Sequence, residues 1–133
     1  MLNWLRRHLG RHVADDAPLG PRGENAAARY LRSKGYRILA RNFRLNAGEI
    51  DIIARDGPTL VFVEVKTRAD NRVAPEEQVD WHKQKQIMQV ARVFLSRYGV
   101  PRPPARFDVV AVIWPPGCRP QIRHTTSAFQ AVD

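Results

Sequence analysis

A chain of 133 residues with a formal charge of +9 and a pI near 10.8 is one domain by size, long enough to bury about two-thirds of its unfolded surface. Its single cysteine, Cys118, excludes an internal disulfide and a cysteine-based zinc site. No run approaches the roughly 20 apolar residues of a membrane span, and Arg6, Arg7, His8 and Arg11 interrupt any signal-peptide core, so a cytoplasmic location is expected. All but four of the 22 basic side chains are arginine, which favours a polyanionic partner through bidentate phosphate contacts, although arginine abundance also follows from genome base composition.

Residues 1–20 read as a basic N-terminal arm and linker, and residues 21–133 as a single domain. Within the arm, Met1 to Val13 is either a short amphipathic helix with Trp4, Leu5 and Leu9 or a mobile basic tail, and Asp15 to Pro21 is linker. His8 and His12 are four apart, but Gly10 lies between them and no third ligand is evident, so no metal is expected there. From Glu24 to Lys34 an apolar stripe of Ala27, Ala28 and Leu31 predicts a helix that Gly35 caps. Glu24 extends that stripe, either as a carboxylate aimed at a site or as an ordinary first-turn acid. Tyr36 to Leu45 reads as a strand. Glu49 to Arg55 and Thr59 to Lys66, separated by the turn residues Asp56, Gly57 and Pro58, read as a β-hairpin.

After a polar loop from Ala69 to Val79, Asp80 N-caps a second helix with Ile87, Val90, Ala91, Phe94, Leu95 and Tyr98 on one stripe and Gly99 at its end. Arg106 to Ile113, with Asp108 on it, is a further strand, and Gln121 to Thr125 a last short one. Trp81 and Trp114 are expected to pack in the core or at its edge rather than to stack on bases. The order is α-β-β-β-α-β, with room for one more short strand, and the fold class is α/β.

The hairpin carries the most informative feature, which is ionised side chains inside segments written for a buried sheet. An isolated buried carboxylate costs many kcal/mol unless it is paired, hydrogen-bonded or metal-bound. Strand alternation puts Leu60, Phe62, Glu64 and Lys66 on one face, and Glu49, Asp51 and Ile53 on one face of the preceding strand. If Asp56 faces Thr59, then Asp51 faces Glu64 and Glu49 faces Lys66. Carboxylates opposed at roughly 5 Å repel unless a cation sits between them, and hard oxygen ligands suit Mg²⁺ or Mn²⁺. Lys66 adds an ammonium on the same face, able to position or deprotonate a water. The competing reading is an ion-paired, solvated sheet face in which Lys66 neutralises both acids.

Gly23-Glu24, Gly48 to Ile53, Val61 to Arg68, Val79 and Lys83, and Arg106 to Val110 together resemble the YraN family of small bacterial proteins. That family is similar in turn to restriction-endonuclease-like nucleases with the PD-(D/E)xK motif, including archaeal Holliday-junction resolvases. The resemblance implies a restriction-endonuclease-like core, a mixed central sheet flanked by helices. It matches Asp51 to the motif aspartate, Glu64 to the second acid, Lys66 to the motif lysine and Glu24 to the helix-borne acid of the resolvase-like branch. Ile50 stands where the motif has proline, so the motif is degenerate.

The expected function is a metal-dependent nuclease that hydrolyses phosphodiesters of DNA, branched or damaged DNA included. Asp51, Glu64 and Lys66 are the catalytic candidates, Glu24, Asp51 and Glu64 the ligands for Mg²⁺ or Mn²⁺, and Lys83, Arg68 and Arg44 the cations for phosphate contacts. Symmetric cutting of a junction would call for a two-fold homodimer. The alternative is a non-catalytic nucleic-acid-binding or assembly module that retains the fold.

Overall fold

In the computed structural model, which describes residues 18–70, 72 and 80–129, two helices sandwich one five-stranded sheet. The elements follow the chain as α1 (Leu19–Ser33), β1 (Arg37–Leu45), β2 (Gly48–Asp56), β3 (Thr59–Arg68), α2 (Trp81–Tyr98), β4 (Ala105–Ile113) and β5 (Gln121–Phe129). Spatial order equals sequence order, with β1–β2–β3 antiparallel, β3–β4 parallel across the α2 crossover, and β4–β5 antiparallel. This is the mixed α/β, nuclease-like core expected from the sequence, and the optional last strand is present and longer than expected, reaching Phe129.

Local chemistry explains the element ends. Helix α1 begins at Leu19, inside the segment read as linker, because Pro21 falls in the first turn, where a missing N–H loses no helical partner. It stops where Gly35 takes φ +89° and the N–H groups of Gly35 and Tyr36 donate to the carbonyls of Arg32 and Leu31. The Asp80 carboxylate accepts from the Lys83 N–H at 2.9 Å, the expected N-cap of α2. Most of the 69–79 loop and all of residues 1–17 lie outside the described residues. Among the described residues no helix is long and apolar enough to cross a membrane.

The sheet buries both faces. Beneath α2, Ile87, Val90, Ala91, Phe94 and Leu95 meet Phe43, Ile53, Leu60, Phe62 and Phe107, with Phe94 edge-on to Phe43 and Phe62 at centroid distances of 5.6 and 5.8 Å. Beneath α1, the small side chains Ala26, Ala27, Ala28 and Leu31 lie on Ile52, Val61, Val63, Val110 and Val112. Small residues let this helix approach the sheet closely, most of all at Gly23, where an added Cβ would collide with the side chain of Thr67. Trp81 belongs to neither core; it is 64% exposed at the start of α2, against the expectation of core or edge packing. Trp114 is half-buried, with the Arg22 guanidinium 4.3 Å from its ring centroid.

Candidate active site

The hairpin register has the expected frame, since Asp56 pairs with Thr59 and the ladder continues through Ala54–Val61 to Ile52–Val63. There it ends. Direct opposition of Asp51 to Glu64 and of Glu49 to Lys66 does not occur, because β2 and β3 part at this point. Asp51 Oδ2 accepts the Val65 N–H at 2.8 Å, so a side chain takes over a bond that the neighbouring strand would otherwise make. The simple alternation also slips here, for Ile50 and Ile53 both face the α2 side. Glu49, released from Lys66, pairs with Arg44 on β1, Oε2 to Nη2 at 2.8 Å.

The fork brings the expected residues into one place. Glu64 is 4% exposed; its Oε1 lies 3.4 Å from Lys66 Nζ and 3.5 Å from Lys83 Nζ, while its Oε2 is buried without a hydrogen-bond partner. The Asp51 carboxyl lies close enough to Glu64 for the two charges to act on each other. Burial, and after it the Glu64 charge, push Asp51 well above the usual carboxylate range, against the Val65 N–H that lowers it. Glu24, on the face of α1 turned toward the fork, is raised first by burial, with the Arg41 guanidinium opposing and Glu49 and Glu64 adding to the rise. Arg41 is itself 6% exposed, with Nη1 3.5 Å from Asn25.

Asn42 is the residue that sequence reasoning missed. With its amide nitrogen turned toward the acids it donates to Glu24 Oε2 at 2.9 Å and Glu49 Oε1 at 3.0 Å, joining the helix acid to the sheet. Its φ of +53° is a conformation that asparagine tolerates better than most residues, which is the only local signal it gives. Gly23, read in the sequence only as part of the family pattern, has a structural reason here. By letting α1 touch Thr67, it holds Glu24 beside the strand that carries Lys66.

Among the described residues no three His, Cys, Asp or Glu side chains converge tightly enough to hold a metal ion. The adjacent donors are two, Asp51 and Glu64, with Glu24 linked through Asn42 to Glu49. Two carboxylates with an unpartnered buried oxygen nevertheless fit Mg²⁺ or Mn²⁺, which usually keep several waters beside one or two protein ligands. Of the three cations expected to meet phosphate, Lys83 reaches the fork, Arg68 lies at the end of β3 with Nη1 donating to the Thr67 carbonyl, and Arg44 is exposed on β1 against Glu49.

A mixed sheet forking at an acid pair beside a lysine, with a glycine-seated helix supplying another acid, describes a class of compact α/β proteins with nuclease-like cores. The match of residues 23–112 to the model of the uncharacterised protein family UPF0102 places the chain within that family. The chain is 49% identical over 114 residues to a UPF0102 protein of Symbiobacterium thermophilum, covering 85% of this chain and 97% of that one. A UPF0102 protein of Geobacter sulfurreducens is 50% identical over 113 residues, 84% and 88% of the two chains, and one of Nocardia farcinica 45% over 118 residues, 88% and 93%.

Proposed function

We propose that the protein is a metal-dependent nuclease that hydrolyses phosphodiesters of DNA, branched or damaged DNA included. The observation that carries this reading is the fork itself: a buried Glu64 oxygen without a partner next to an Asp51 carboxyl, a costly pairing that a bound cation would relieve. The surplus of basic residues supports the same substrate, since a polyanion must be drawn to a pocket that is locally acidic.

In this mechanism Asp51 and Glu64, with Glu24 nearby, would hold Mg²⁺ or Mn²⁺. The ion supplies Lewis acidity and a water of lowered pKa. Asp51 is fixed for the task by the Val65 N–H, so its orientation costs nothing at the moment of reaction. Lys66, 3.4 Å from Glu64 Oε1, would orient the attacking water through its ammonium, and Lys83, 3.5 Å from the same oxygen, would steady a phosphate oxygen.

The test is incubation of labelled linear, flapped and four-way DNA with Mg²⁺, Mn²⁺ or EDTA. Cleavage is expected with either metal and none in EDTA, and Asp51→Ala and Lys66→Ala should each lower it at least about 100-fold while binding persists. If Lys66→Ala cuts at the parent rate, the assignment fails. One observation favours a second reading, a binding module with the fold but without the chemistry: both lysines already ion-pair Glu64 Oε1. Under that reading DNA binding survives, with a log–log salt slope near −0.9 per phosphate neutralised, and no metal restores cleavage.

A further inference from the structure

The outer flank of α2 carries a groove that the chemistry above does not use. Trp81, Lys85, Met88, Arg92 and Leu95 are spaced four, three, four and three residues apart and so form one helical face that flanks the core-facing stripe, with Met88 and Leu95 at the border between the two. Three cavities of about 280, 180 and 420 Å³ follow this face from Trp81 to Arg102, and Arg92 lines all of them. Among the described residues none of the lining side chains is a carboxylate, whereas Lys85, Arg92 and Arg102 are cationic. At the head of the groove the Trp81 ring is 64% exposed, with the Lys85 ammonium 5.0 Å from its centroid. Its place in the fold matters too, for Trp81 shares the first turn of α2 with Lys83, whose Nζ lies 3.5 Å from Glu64.

An exposed indole beside cations, in a groove whose described lining carries no carboxylate, is the pairing that unpaired nucleic acid requires, since any base can stack on a ring while the phosphates meet positive charge. Duplex DNA offers no free base face to such a ring. The helical face from Trp81 to Leu95 runs about 21 Å at 1.5 Å per residue, room for about six nucleotides at the spacing of a stacked strand. We propose that this groove seats an unpaired DNA strand, one base stacked on Trp81, as the strand passes around the N-terminal end of α2 from the Asp51–Glu64 fork. The strand's destination at the fork rests on the nuclease reading; the groove's preference for single strands does not.

The experiment measures binding of the full chain in EDTA, by fluorescence anisotropy, to a labelled thymidine oligonucleotide of about 12 residues and to a duplex of equal length. Trp81→Ala should weaken single-strand binding roughly 5- to 150-fold, the range for loss of one stacked base, with duplex affinity unchanged. Trp81→Phe, which keeps a stacking ring, should restore most of that loss. The proposal is overturned if the parent does not bind the oligonucleotide, if Trp81→Ala binds it as the parent does, or if both DNAs weaken equally. It is overturned as well if Trp81→Ala instead abolishes a concentration-dependent dimer, which would give the groove to a second copy of the chain. Metal-dependent cleavage is scored separately on flapped DNA with Asp51→Ala as control. Single-strand binding that depends on Trp81 without any cleavage sinks the nuclease reading alone, and cleavage with binding indifferent to Trp81 sinks this inference alone.

Discussion

Two buried carboxylates of the same sheet, Asp108 on β4 and Asp51 on β2, have opposite surroundings. Asp108 is fully buried, and each of its oxygens is engaged: Arg106 Nε and the Ser127 N–H donate to Oδ1 at 3.1 and 3.0 Å, and His124 Nε2 lies 2.7 Å from Oδ2. Arg106 also reaches Asp56 and the Tyr36 hydroxyl, and Tyr30 bonds the far nitrogen of His124. Burial would raise the Asp108 carboxyl, but the bonds from His124, Arg106 and Ser127 together outweigh it and hold it below its ordinary value. Asp51 has one backbone donor and an acid for a neighbour, and it is driven the other way. A buried acid surrounded by donors stabilises a fold, and one left short of them is a candidate for binding.

The largest effect expected from this contrast lies at the satisfied end. Asp108→Ala removes the acceptor shared by His124, the Ser127 N–H and Arg106 Nε, and should cost about 3 to 5 kcal/mol in urea denaturation, the range for removing one partner of a buried ion pair. A loss below about 1 kcal/mol would mean that the network contributes little. Next comes the metal response of the unsatisfied end. Mg²⁺ or Mn²⁺ at a hundredfold excess over its dissociation constant should add about 2.7 kcal/mol to the parent and nothing to Asp51→Asn, as thermal melts would reveal. If the parent melts identically in EDTA and in metal, Asp51 and Glu64 are not ligands.

Gly23→Ala forces a methyl into the Thr67 side chain and should cost about 1 to 3 kcal/mol by overpacking. Because the same contact holds Glu24 at the fork, activity should fall further than stability does, a split that activity per folded molecule resolves. The smallest effect is that of Asp51→Asn on the apo protein, which should be neutral or slightly stabilising in the same urea assay. A loss of several kcal/mol would make Asp51 a structural acid like Asp108.

The two acids also differ in the sign of their pH dependence. The lowered Asp108 contributes stability that is present above its unfolded pKa of about 3.9 and lost as pH falls through the lower folded value. The raised Asp51 favours the fold below about pH 3.9 and withdraws that support as pH rises through its higher folded value. Relative to the parent, Asp51→Asn should therefore gain stability as pH climbs above about 4, whereas the deficit of Asp108→Ala should shrink as pH drops below about 4. Parallel pH profiles for the two variants would contradict the contrast.

The residues that proved legible from sequence were those fixed by local rules. A two-residue turn sets hairpin register, so pairing from Asp56–Thr59 to Ile52–Val63 follows from Gly57 and Pro58 alone. Asp80 and Gly35 announced their helix ends in the same way. What failed were statements that needed a third element. The ladder stops at Val63 because the Asp51 carboxylate takes the Val65 N–H, a competition that strand alternation does not contain. Asp108 reads as an isolated acid on a strand until β5 brings His124 and Ser127 to it, and Arg106 joins it to Asp56 from 50 residues away. Asn42 and Gly23 act through contacts between α1 and the sheet, and Trp81, expected at the core or its edge, lies exposed at the start of its helix.

The parting of β2 and β3 has a mechanical consequence. Above Ile52 and Val63 each arm of the fork leans on a different neighbour: β2 on the antiparallel β1 through Phe43–Ile50 and Leu45–Gly48, β3 on the parallel β4 through Glu64–Val109 to Arg68–Ile113. The gap between the acids is thus a difference between the twists of two ladders. A change at an outer strand, away from the two acids themselves, would widen or narrow the jaws, whereas a substitution in the closed stem of the hairpin would leave the aperture as it is.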